Sequence, residues 1–145
     1  MPHLVILYTA NLDAHTDMTV LCRALADTML AVRDDAGKQV FPTGGVRVLA
    51  YPAAHHAVAD GRGDYGFADL NLRMGRGRSA AVQQQVGQAL AAVAQRHFAP
   101  LMAQHPVGIT LQIDESPEVF DAKHSTLHPL FAHPSVPYTN PTEDT

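Results

Sequence analysis

The sequence predicts an α/β (α+β) fold: a doubled β-α-β unit giving a four-stranded mixed sheet with two helices on one face. Two observations predict it. A strand-helix-strand pattern is written twice along the chain, and each helix stands where a crossover must join two parallel strands. The length of 145 residues is near the modal size of a domain, so both units belong to one domain.

Pro2, His3, Leu4, Val5, Ile6, Leu7 and Tyr8 form a short apolar run that reads as a strand buried on both faces. Thr16 or Asp17 can cap the following helix, because a short side-chain oxygen there accepts from the first free amides. Met18, Leu21, Cys22, Leu25, Met29 and Val32 then place one apolar stripe along a helix ending near Arg33. Residues 34–45 hold Gly37, Pro42, Gly44 and Gly45 and read as a connecting loop. Val46, Arg47, Val48, Leu49, Ala50 and Tyr51 make the second strand, which is expected to stop at Pro52.

The second unit repeats the order. Residues 65–74 alternate, with Ala68, Leu70, Leu72 and Met74 facing one way and Asp69, Asn71 and Arg73 the other. Gly75, Arg76, Gly77, Arg78 and Ser79 form a tight turn, and Ser79 is placed to cap the next helix. Val82, Val86, Leu90, Val93, His97 and Leu101 recur at helical spacing, while Pro100 predicts a kink or a break. Ile109, Thr110, Leu111, Gln112 and Ile113 alternate as the fourth strand. Two helices on one face leave the other face open, yet the first strand is apolar on both sides. Another subunit is the simplest cover, so the pattern predicts an oligomer. The domain is expected over residues 1–131. Residues 132–145, with three prolines and few core-forming side chains, read as a tail that is disordered or packed on a neighbouring subunit.

Composition removes several function classes. Hydrophobic residues at 46% and charged residues at 17% describe a globular chain, and no apolar run approaches the ~18 residues of a membrane span. The first residues lack the basic and apolar regions of a signal peptide. A net charge of -4 argues against broad nucleic-acid binding, which calls for a basic patch. The single cysteine, Cys22, excludes an intramolecular disulfide and a zinc ribbon and suits a reducing, cytoplasmic setting. It lies on the apolar stripe and reads as core.

Three constellations could carry chemistry. Removal of Met1 ahead of a small residue would leave Pro2 as a free secondary amine, held in one orientation by its ring and by the strand it begins. Burial and nearby cations would lower its pKa and make it a base or nucleophile at neutral pH; a chance Met-Pro start is the plain alternative. Arg47, inside an apolar strand, and Arg76 and Arg78, in a glycine-bracketed turn, could grip carboxylates bidentately. Locally, Arg47 and Arg78 read equally well as snorkelling or solvated charges, and Arg76 reads as solvated. Histidines make the third set: His55 and His56 in a loop, and His124, His128 and His133 near the C-terminus. Only His124 and His128 have helical spacing, Pro129 and Pro134 oppose a helix there, and no metal site is expected. No G-x-S-x-G elbow supports a serine triad.

Pro2-His3 leading a buried strand, the doubled unit, the stretch Asp60-Gly61-Arg62-Gly63-Asp64-Tyr65-Gly66-Phe67, Gly75-Arg76-Gly77-Arg78-Ser79 and Gly45-Val46-Arg47 together resemble the tautomerase superfamily. Within it the chain is most similar to the 5-carboxymethyl-2-hydroxymuconate delta-isomerase family, over most of its length from Pro2 to about Phe131. The long loop at 34–45, Pro100 and the tail depart from the family pattern. The resemblance implies a tautomerase-like fold, a trimer with an active site at each Pro2, and a cofactor-independent proton shift in an unsaturated 2-hydroxy di- or tricarboxylate from aromatic catabolism. It implies Pro2 as base, with Arg47 and Arg78 binding and polarising the substrate, and no metal or organic cofactor. Another tautomerase-superfamily enzyme (a phenylpyruvate-type tautomerase, a decarboxylase or a dehalogenase) and a non-catalytic trimeric binding protein of the same fold are the alternatives.

Overall fold

Alternation decides which side of each strand meets the helices. In the computed structural model, which describes residues 2–132, β1 (His3–Thr9) buries Leu4, Ile6 and Tyr8 on one side and turns Val5 and Leu7 to the other. β3 (Gly66–Met74) does the same with Ala68, Leu70, Leu72 and Met74, the four residues the sequence pattern selects. Between them run α1 (Met18–Ala31) and β2 (Arg47–Ala53); α2 (Ala80–Met102) and β4 (Val107–Glu115) complete the second unit. The strand order is β2-β1-β3-β4. β1 pairs parallel with β2, β3 pairs parallel with β4, and β1 meets β3 antiparallel, so two β-α-β units share one mixed sheet.

The helices are capped as the sequence indicates. Asp17 accepts from the amides of Thr19 and Val20 at the start of α1, and Ser79 accepts from Val82 at the start of α2. Leu21, Leu25 and Met29 of α1 and Val86, Leu90 and Phe98 of α2 lie fully buried between helices and sheet. Burying each large aliphatic side chain is worth about 1.5–3 kcal/mol, so this layer dominates the stability of the fold. The other sheet face carries Leu7, Leu49 and Tyr51 at 53%, 43% and 51% exposure.

Several expectations need correction. β2 does not stop at Pro52: it continues to Ala53, with Pro52 opposite Tyr8. β2 is an edge strand, where a residue lacking an N–H need lose no ladder bond. α2 does not break at Pro100 either: it runs on to Met102, so the loss of one backward ladder bond, to the carbonyl of Arg96, is not enough to end the helix there. The buried stripe of α2 runs through Ala94 and Phe98, whereas Val93 and His97 are only half-buried at its margin. α1 ends at Ala31 with Val32 as its C-cap, near Arg33 as the stripe predicts. Short 3₁₀ turns at Ala10–Ala14, Thr43–Gly45 and His128–Phe131 fall where the sequence pattern gives no periodic signal. Residues 133–145, nearly all of the expected tail, lie outside the described residues. Among the described residues no helix is long and apolar enough to cross a membrane.

Candidate active site

The topology gathers the candidate residues at one end of the sheet. β1 and β2 begin there and β3 ends there. His3 stands opposite Arg47 on one side and opposite Arg73 on the other. Residues paired across strands share a face, so these three side chains project from the helix-free side. Pro2, one residue earlier, is buried. Arg78 follows four residues after Met74, the last residue of β3, in a turn that Gly77 opens with φ of 100°. A residue with a Cβ rarely adopts that conformation, which accounts for the second glycine of the G-R-G-R-S stretch.

Each arginine is held by backbone carbonyls. Arg47 Nη1 donates to Gly45 O at 3.2 Å, and the residue borders a groove of about 680 Å³ at the β2 edge of the sheet, together with Thr19, Cys22, Leu49 and Phe131. Arg78 Nη1 donates to Gly75 O at 3.1 Å and Nη2 to Val40 O at 3.4 Å, and its guanidinium lies 4.9 Å from the centroid of the buried Phe41 ring. Burial pulls the Arg78 pKa below its ordinary value. A partly desolvated guanidinium attracts an anion more strongly than a solvated one does.

The same end holds residues that sequence reasoning did not select. Arg73 Nη2 lies 3.4 Å from His3 Nδ1. The His3 pKa falls below 6.5, first through burial and then through the charges of Arg73 and Arg47. The chain leaving β4 folds back across this end: Ser116 N donates to Met74 O, and Arg76 Nε donates to Ser116 O at 3.2 Å. It continues past a cavity of about 80 Å³ lined by His3, Arg73, Glu118, Asp121 and Lys123. Its 3₁₀ turn then packs on the segment before β2, where a Cβ on Gly44 would stand 2.7 Å from His128 Nδ1. A signal for Arg73 was available, since the alternation of β3 puts it on the open face beside the start of β1. The covering segment has no periodicity and gave none.

A second groove of about 680 Å³ lies elsewhere, between α2 and β4, lined by Gln83, Gln84, Gln88, Gln95 and apolar side chains. It has no cation to hold a polycarboxylate.

Residues 2–131 match the sequence model of the 5-carboxymethyl-2-hydroxymuconate isomerase family. The chain belongs to that family. It is 60% identical to a crystal structure of 5-carboxymethyl-2-hydroxymuconate delta-isomerase, covering 92% of this chain and 94% of that one, with a TM-score of 0.88. A 5-carboxymethyl-2-hydroxymuconate isomerase from Deinococcus radiodurans R1 is 33% identical, covers 91% and 95% of the two chains and gives a TM-score of 0.81. The 5-carboxymethyl-2-hydroxymuconate Delta-isomerase of Escherichia coli is 28% identical over 131 residues, 90% of this chain and 99% of that one.

The D-G-R-G-D-Y stretch that resembles the isomerase family lies at the opposite end of the sheet from Pro2. Asp60 Oδ1 accepts from Arg62 N, Gly61 has φ of 69°, and Asn11 Nδ2 donates to Asp64 Oδ1 and Tyr65 O. Its work is to fix the β2–β3 connection. The G-R-G-R-S and G-V-R stretches are the ones at the candidate site.

Proposed function

We propose that the chain isomerises 5-carboxymethyl-2-hydroxymuconate, or a close unsaturated 2-hydroxy polycarboxylate, to its conjugated 2-oxo form, with Pro2 as the base. What supports this reading is a buried Pro2 next to His3, whose cross-strand partners are Arg47 and Arg73, with Arg78 in the turn that follows β3, in a chain of this isomerase family. The cations and burial that depress His3 act in the same direction on an amine one residue away, favouring the neutral base. Neutral Pro2 takes the 2-hydroxyl proton and returns a proton to carbon at the far end of the conjugated system. Arg78 grips a carboxylate, and Arg47 stabilises the charge that develops at the 2-oxo oxygen. The conjugated system delocalises that charge itself, so the proton shift calls for no cofactor.

The working form in this reading is a trimer. The exposed Leu7, Leu49 and Tyr51 supply an apolar face for neighbouring copies to cover.

The test is turnover of the dienol followed by ultraviolet absorbance, with intact mass measured on the same sample. Met1 is expected to be absent, and Pro2→Ala to lower kcat/KM by about 10²-fold, within the general-base range. The wild-type rate is expected to fall as pH drops below the amine pKa. A fully active sample that retains Met1 would overturn the base assignment.

A further inference from the structure

At the end of the sheet away from Pro2, three connections bring metal-ligating side chains together. His15 follows the 3₁₀ turn after β1, Asp64 lies in the β2–β3 loop, and His105 lies in the turn between α2 and β4. One ligand atom from each falls within 4.8 Å of the other two. His15 Nε2 is 3.6 Å from Asp64 Oδ2, and the two imidazole rings lie 4.2 Å apart, centroid to centroid. Ligand atoms around a tetrahedral ion at about 2.0–2.1 Å stand about 3.4 Å from one another. The His15–Asp64 pair already has that spacing. Small rotations of the exposed His15 and Asp64 and the half-buried His105 close the rest.

The carboxylate is also oriented. Asn11 Nδ2 donates to Asp64 Oδ1 at 2.9 Å and to Tyr65 O at 2.8 Å, which leaves Oδ2 directed to His15. A ligand fixed by a hydrogen bond to its other oxygen is the arrangement that supports metal sites.

We propose that His15, Asp64 and His105 bind one divalent ion of the zinc class, with water completing the coordination. Two imidazoles and one carboxylate suit zinc, cobalt, nickel or copper better than calcium or magnesium, which favour oxygen ligands throughout. β1 separates this cluster from Pro2 by about 20 Å at 3.3 Å per residue, so the ion takes no part in the proton shift. It clips three connections that otherwise meet through side-chain hydrogen bonds and ring contact. None of the histidines weighed from the sequence belongs to the set, because its members are remote along the chain.

The experiment titrates zinc, and separately cobalt, into the full-length chain after removal of metal with a chelator. Calorimetry, cobalt visible absorption and the melting temperature are the readouts. One equivalent per chain with a micromolar or lower Kd is expected, together with a rise in melting temperature. His105→Ala and Asp64→Asn are each expected to weaken binding at least tenfold, with turnover and circular dichroism unchanged. The double variant His55→Ala, His56→Ala is expected to bind as the wild type does. Equal zinc affinity in the His105 and Asp64 variants, or no saturable equivalent in the wild type, would overturn the proposal.

Discussion

The two arginines separate kinetically if the proposed division of labour holds. Arg78 Nη1 and Nη2 each give one hydrogen to a backbone carbonyl, which leaves three of the five guanidinium hydrogens for a substrate carboxylate. Its position is therefore fixed before substrate arrives, and its grip is expected to be equal in the ground and transition states. Arg78→Ala should then raise KM and leave kcat nearly unchanged. Arg47, paired in register with His3 beside Pro2, stands where the oxyanion is proposed to develop. Arg47→Ala should lower kcat with less change in KM.

Removing a charge-assisted contact of this kind costs about 2–4 kcal/mol, or roughly 30- to 1000-fold in kcat/KM. Arg78→Ala also removes the stack on Phe41, worth about 0.5–1 kcal/mol, and frees two carbonyls, so its melting temperature should drop. Arg78→Met keeps the aliphatic stem and serves as the control for that loss. Steady-state kinetics on the dienol, at a temperature where both variants are folded, decide the matter. Exchanged signatures would reverse the two roles and leave the site standing. Wild-type kcat and KM in both arginine variants would remove them from the mechanism.

Two further outcomes follow from the fold. Light scattering at micromolar concentration is expected to give about three times the 15.6 kDa of the single chain. The monomer mass would refute the covering of the Leu7, Leu49 and Tyr51 face. His97 is half-buried, with Nε2 2.7 Å from Thr16 Oγ1, and burial holds its pKa below 6.5 against the opposing charge of Asp17. The unfolded chain therefore takes up this proton first as pH falls, so the contribution to stability is full above about 6.5 and is lost on acidification toward the folded value. Melting temperature should decline between about pH 7.5 and 5.5, and less steeply in His97→Gln. Equal slopes would assign the acid sensitivity to other groups, His3 among them.

The legible part of this molecule is the part whose signal is periodic or local. Leu70, Leu72 and Met74 alternate because a strand has period two, and Asp17 and Ser79 cap because helix amides need acceptors, so both units can be read from the chain directly. Phe98 was missed because Val93 and His97 fit the same helical spacing, and only the packed sheet decides that the buried stripe runs through Ala94. Pro52 misled because a proline's effect in a strand depends on whether its missing N–H had a partner, and that is settled by an edge position which the local sequence does not mark. The site divides the same way. Pro2, Arg47 and Arg78 stand out as residues at odds with their local surroundings. Arg73 and the cover from Ser116 to Lys123 reach the same end only through strand order and chain reversal. The His15, Asp64 and His105 cluster is the extreme case: its members are separated by most of the fold, and only the antiparallel pairing of β1 with β3 brings their connections to one end of the sheet.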